Sequence, residues 1–340
     1  MKSNAFSQRD YSLDNIRFLL IFSVVFGHLL EVCAPFAGSG QIYKFIYTFH
    51  MPAFIFLFGY NVKYSPKKIL YRWCIPYIIM QCAYIAFAKF VLKTNVNFQF
   101  TTPYWLLWYM LACIGYQLIL PLLDTDSKPK QIITVLSAVG ISLAVGYEKT
   151  IGYYMSLSRF FVFLPWFLLG CYCKKNDLLA RLSVKPLIRF GVLFVSLAII
   201  VVLAPYVPKI SKGLLYGSYP YASCAGKLWM RGMTSLIALS VILLLCVGIR
   251  PCLNRKLALI TYIGQHTWPI FLLHGFFVKL IPDYPHLVSA PWRVLLLTCG
   301  ILLLAGNKFC SKAVYYICFS WLEKCAEKTL VAKKVGASQK

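Results

Sequence analysis

The sequence predicts an all-α polytopic membrane protein, a bundle of about ten transmembrane helices with both termini cytoplasmic. Three observations carry that reading. The 340 residues are 60% hydrophobic and only 13% charged, outside the make-up of a soluble globular domain. The apolar residues gather in runs near the roughly 20 residues needed to cross a bilayer. The basic residues between the runs sort by alternate loops. One side collects Lys2, Arg9, Lys63, Lys67, Lys68, Arg72, Lys128, Lys130, Lys174, Lys175, Arg181, Lys185, Arg189, Arg250, Arg255, Lys256 and the basic residues of 308–340, and the other holds less than half as many. By the positive-inside rule the richer side is cytoplasmic, and termini on one side require an even number of spans. The net charge of +25 is spread over short loops rather than gathered on one domain, which excludes a nucleic-acid-binding reading.

The runs lie near 15–33, 44–62, 70–90, 104–123, 131–147, 160–173, 187–205, 232–249, 262–280 and 292–309. The first is a retained helix rather than a cleaved signal, because His28 and Glu31 interrupt it and no small-residue cleavage site follows. The run 160–173 is short and 131–147 mildly polar. The longest polar interval, 205–231, is rich in Gly, Pro, Tyr and Lys and reads as an ordered outer loop or short interfacial helix. After the last run, 311–334 combines Val314, Ile317, Trp321 and Leu322 with Lys312, Lys324 and Lys328, the pattern of an amphipathic helix on the cytoplasmic membrane surface. The chain therefore divides into a transmembrane domain, 1–310, and a basic tail, 311–340. The thirteen cysteines show no CxxC pair and no Cys/His metal spacing, so no metal site is expected. Those in apolar runs, Cys74, Cys82, Cys113, Cys246 and Cys299, read as small buried hydrophobes.

The polar content of the first run is its most informative feature. At about 100° per residue, Arg17 falls roughly 20° from His28, with Glu31 about 60° to one side and Asp14 about 40° to the other. Four ionisable groups thus share one stripe. A charge in hydrocarbon costs several kcal/mol, so such a stripe must face a protein interior or a water-filled cavity.

By depth, His28, His50 and His274 fall in the outer half of the membrane, whereas Arg17 and Arg72 lie at inner span ends beside Lys67 and Lys68. His266 and His286 lie near span ends and read as solvated. Trp105, Trp108, Tyr109, Trp166 and Trp292 sit where aromatic belts are expected, and Arg159, Arg231 and Arg293 where snorkelling anchors, or holders of an anionic glycan or lipid phosphate, would be.

Arg17 and His28 stand about 16 Å apart along one face. That separation suits a long ligand with an anionic head and a reactive far end, as in acyl-coenzyme A, its phosphates among Arg17, Arg72 and Lys68 and its thioester near His28. An imidazole takes the proton of a hydroxyl attacking a thioester, and Glu31 would orient the ring and stabilise the imidazolium, with His50, His274 and Asp14 as further chamber groups. Two other classes share the pattern: an exporter of a glycan or lipid-linked sugar, and a non-catalytic scaffold for glycan synthesis.

The motifs resemble the acyltransferase-3 family of integral-membrane acyltransferases. Leu13 to Arg17 followed by Val24 to His28 matches its Arg-x10-His pattern. Phe49 to Phe56 through Gly59-Tyr60 is similar to its second-span signature, Arg72 to Pro76-Tyr77 to the basic start of its third, and Ile263-Gly264 to His274 to its late-span motif. His28-Leu-Leu-Glu31 and the compact size resemble the fucose 4-O-acetylase-like subgroup. The chain departs from the family pattern at Phe58, where a serine often precedes the glycine, and in lacking a fused extracytoplasmic domain. The resemblance implies a bacterial cytoplasmic-membrane enzyme using acetyl-CoA, with His28 as base. Its expected partners are a polysaccharide or lipid-linked oligosaccharide acceptor, membrane lipids and a second copy of itself.

Overall fold

A computed structural model describes residues 10–33 and 36–320. Among these there is no strand. Eight helices are long and apolar enough to cross a membrane: α1 Ser12–Val32, α2 Ser39–Asn61, α3 Pro66–Phe90, α4 Trp105–Leu123, α5 Lys128–Tyr147, α6 Tyr154–Lys175, α7 Pro186–Lys209 and α8 Leu228–Gly248. They are followed by α9 Ala258–Gln265, α10 Thr267–Leu280, α11 Pro291–Gly306 and α12 Lys308–Tyr315. Helix α11 and the segment Lys308–Cys318 together are also long and apolar enough to cross, but are bent by 52° at the break between them, the geometry of a broken span or a re-entrant loop.

The ninth expected span, 262–280, is divided. Pro269 has no N–H to give the Gln265 carbonyl, and its ring crowds that carbonyl, so the helix stops at Gln265 and restarts at Thr267. His266 occupies the break; its Nδ1 bonds the Tyr262 carbonyl at 2.7 Å, so it is a half-buried cap rather than a solvated side chain. The short run near 160–173 is part of a 19-residue α-helix, Leu157–Lys175, which follows a short turn at Tyr154–Ser156.

Helix α1 is central, packing against α2, α9, α10 and α11, while α2 lies along α6. Close approach of helix backbones needs glycine: a Cβ on Gly59 would meet the Phe167 carbonyl, and one on Gly264 the Asp14 carbonyl. Helix α7 is a peripheral, lipid-facing helix, with only Ser196 and Val207 of its residues buried.

Several expected placements are corrected. Arg159 and Arg231 do not snorkel: they are 8% and 3% exposed. Arg159 lies over the Trp108 and Tyr153 rings and donates from Nε to the Tyr216 carbonyl at 2.9 Å, while Arg231 lies over Tyr221 and donates to the Ser142 carbonyl at 3.0 Å. Trp108 stacks on Phe163 inside the bundle, while Trp292 is exposed, as a belt residue would be. Cys299 is exposed on α11 rather than buried. Val314 and Cys318 are buried in a cluster with Tyr77 and Tyr84, so the start of the expected tail helix packs on the bundle. Its remainder, 321–340, and the His286 side chain lie outside the described residues.

Candidate active site

A chamber of about 320 Å³ opens between α1, α2, α3, α4 and α10. Arg17, Lys63, Lys68 and Arg72 line one part of it, His28 and His274 another, and its walls are apolar and aromatic, including Ile21, Phe54, Trp108 and Phe271. Lys63, Lys68 and Arg72 are exposed, which makes the Arg17 end the mouth.

Local sequence explains how the cations are placed. Arg72 sits in a π-helical turn, Leu70–Cys74, at the start of α3. Pro76 lacks the N–H that an α-helix would give the Arg72 carbonyl, and the widened turn absorbs that missing bond. Arg17 is held by Asp14, Nη1 to Oδ1 at 3.1 Å, and the other Asp14 oxygen accepts from Gln265 at 2.9 Å. Asp14 is therefore a tie between α1 and the broken α9–α10 helix and is not among the chamber-lining residues.

At the other end the base is braced by phenols. The Tyr47 hydroxyl is 2.8 Å from His28 Nδ1 and donates to Glu31 Oε2 at 3.1 Å; the Tyr216 hydroxyl donates to Glu31 Oε1 at 2.5 Å and lies 2.8 Å from the Tyr43 hydroxyl. A phenol has one proton. With the Tyr47 proton given to Glu31, its oxygen accepts from His28, so Nδ1 carries the imidazole proton and Nε2 is the basic nitrogen. Glu31 itself is 3.5 Å from His28 Nδ1, near enough to stabilise an imidazolium but acting through Tyr47 on the neutral ring. Tyr216, on the short helix Lys212–Tyr216, has its phenol pKa pushed up by burial and by its bond to Glu31.

His274 stacks on His28 with centroids 5.6 Å apart. Its Nδ1 is bonded to the Ile270 carbonyl at 2.9 Å, and its fully buried Nε2 has no protein partner among the described residues. His28 also meets the Trp105 ring edge-on at 4.7 Å. His50 does not line the chamber: it bonds the Ile46 carbonyl at 2.8 Å and packs against Tyr47, behind the phenol that bonds His28. Of the residues singled out in the sequence, the fold brings Arg17, Lys68, Arg72, His28 and His274 to one chamber, with Glu31 outside the lining, behind His28 and Tyr47.

A family model described as an acyltransferase domain, that of the acyltransferase-3 family, matches residues 10–306. The chain belongs to the acyltransferase-3 family. No curated protein and no solved structure matches it. As a membrane acyltransferase of this family, it places its Arg-x10-His pair, Arg17 and His28, on the wall of one chamber. The phenols of Tyr47, Tyr216 and Tyr43 were not singled out from the sequence. Tyr43, Tyr47 and His50 recur at i, i+4 and i+7 on α2, a stripe that was available as a signal.

Proposed function

We propose that this acyltransferase moves an acyl group, acetyl in the first instance, from cytoplasmic acyl-CoA to a hydroxyl of a bacterial surface or secreted polysaccharide or its lipid-linked precursor, as in the fucose 4-O-acetylase-like subgroup. In this reading both termini face the cytoplasm and the protein sits in the bacterial cytoplasmic membrane, so the Arg17 end faces the donor pool. Phosphates of coenzyme A bind among Arg17, Lys68 and Arg72, and the pantetheine arm runs along α1 towards His28.

The acceptor hydroxyl gives its proton to His28 Nε2 as its oxygen attacks the thioester carbonyl, forming the C–O bond. The C–S bond then breaks, and the imidazolium returns the proton to the departing sulfur. Tyr47 holds the ring in the tautomer that leaves Nε2 free, and Glu31 stabilises the charged ring in the transition state. His274 Nε2, a lone-pair acceptor in the same chamber, is suited to hold the acceptor hydroxyl in line. The observation that carries this reading is the junction of a base of fixed tautomer with a cationic mouth in one chamber.

The test is thioester turnover by the purified protein together with mass spectrometry of the surface glycan in cells with and without it. Acyl-CoA consumption and a matching glycan ester are expected. A glycan exporter predicts neither.

A further inference from the structure

Three lysines gather at the Glu31 end, and none has a carboxylate partner within 4 Å among the described residues. Lys279 lies over the Trp105 ring at 4.6 Å, the same ring that meets His28, and Glu31 is near enough for its charge to act on it. Lys212 lies over Tyr43 at 4.9 Å, whose hydroxyl bonds Tyr216 and through it Glu31. Lys44 donates to the Pro208 carbonyl at 2.6 Å and stands close enough to Lys212 for the two ammoniums to repel. Glu31 offsets them only in part, since it brings one negative charge against three ammoniums and makes no ion pair with any of them within 4 Å.

A net positive field beside a reaction centre raises the local concentration of anions and selects against uncharged partners. Lysines that only anchored the protein to lipid would have no reason to converge on the rings that contact the base and its carboxylate. We propose that the acceptor is an acidic saccharide, one bearing a carboxylate or phosphate beside the hydroxyl that is acylated, and that Lys212, Lys279 and Lys44 hold that acid. The proposal rests on the acyl-transfer reading above and adds the charge class of the acceptor. The two sources of the negative group share this chemistry and differ in mass.

The deciding measurement is the position of the acyl group on the surface glycan, mapped by mass spectrometry in cells with and without the protein. An ester on, or next to, a residue carrying a carboxylate or phosphate is the expected result. An ester in an uncharged repeat would overturn the acidic-acceptor proposal and leave acyl transfer standing. No protein-dependent ester, with the protein present in the membrane, would overturn both.

The double variant Lys212→Gln/Lys279→Gln should lower glycan acylation by about tenfold or more at matched membrane levels, with acyl-CoA binding unchanged and acylation restored by arginine at both positions. Wild-type acylation by the glutamine pair would overturn the proposal. Should that pair fail to fold, the wild-type protein decides. At saturating acyl-CoA, raising salt from about 0.05 to 0.5 M should raise the apparent KM for glycan extracted from the unacylated cells several-fold, and a salt-independent KM would overturn it.

Discussion

The two ends of the chamber are built on different principles. At the Arg17 end the groups are long cations, three of them exposed, and Asp14 is an acid partner for Arg17. At the Glu31 end every proton in the chain from Tyr43 through Tyr216, Glu31 and Tyr47 to His28 has a partner between 2.5 and 3.1 Å away. Loose charges suit a ligand whose anionic head need only be captured. A closed hydrogen-bond chain suits a ring whose tautomer must not vary. Substitutions at the Glu31 end should therefore lower turnover with donor affinity intact, and substitutions at the Arg17 end should do the reverse.

The largest effect is expected at His28. His28→Ala should fold and bind acyl-CoA yet lose roughly 10²–10⁴ in transfer rate, the range for removal of a general base. Glycan acylation in cells at matched membrane levels, backed by thioester consumption in detergent, is the check. Wild-type acylation would break the assignment of chemistry to this end.

The next two effects should be similar in size and opposite in kind. Arg17→Ala removes a charge-assisted contact and should weaken acyl-CoA binding by roughly 1.5–3 kcal/mol, about 10- to 150-fold, with turnover of bound donor unchanged. Glu31→Gln should cost about the same factor in turnover and none in donor affinity, since the amide oxygen accepts from only one of the two phenols and carries no charge to stabilise an imidazolium. Combined with His28→Ala, Glu31→Gln should add almost nothing, because a positioning carboxylate has nothing to position once the base is gone. Combined with Arg17→Ala, it should be additive, the two sites lying at opposite ends of α1. Non-additivity across the ends would show that they are one unit.

A smaller change is expected of Tyr47→Phe. Two hydrogen bonds are lost, the phenol's donation to Glu31 and its acceptance from His28, but only the second, a neutral bond of about 0.5–1.5 kcal/mol, fixes the ring, and His28 Nδ1 can still reach Glu31 from 3.5 Å, so turnover should fall about two- to tenfold with donor affinity unchanged. A loss as large as that of His28→Ala would make the phenol itself part of the reaction.

How much of this was legible depended on the range of the contacts. The stripe on α1 could be read because helical period alone relates Arg17, His28 and Glu31. Asp14 lies on the same stripe, but its direction is decided by Gln265, 251 residues away, and no local pattern reveals that. Tyr216 is one of 23 tyrosines and reaches Glu31 from a separate segment of the chain, so its role is visible only in the fold. The division of the ninth run was within reach, since Pro269 marks it. The burial of Arg159 and Arg231 was not, because arginine at a span end is ordinarily a snorkelling anchor. The packed rings of Trp108, Tyr153 and Tyr221 and the carbonyls of Tyr216 and Ser142, all distant in sequence, keep these two inside.

The smallest effect sharpens the comparison most. Lys68 is exposed at the chamber mouth and makes no ion pair within 4 Å among the described residues, so its attraction for a phosphate acts through water and is screened. Lys68→Ala should weaken acyl-CoA binding about two- to fivefold near 0.05 M salt and have almost no effect near 0.5 M. The Arg17→Ala deficit should persist at both, because Arg17 lies deeper and is fixed in direction by Asp14 at 3.1 Å. Titration of acyl-CoA into the two variants at both salt concentrations separates these behaviours. A Lys68 effect that survives high salt would mean a direct, desolvated contact, and the mouth would then be an ordered site like the Glu31 end. A fall in turnover rather than in binding would remove the distinction between the ends altogether.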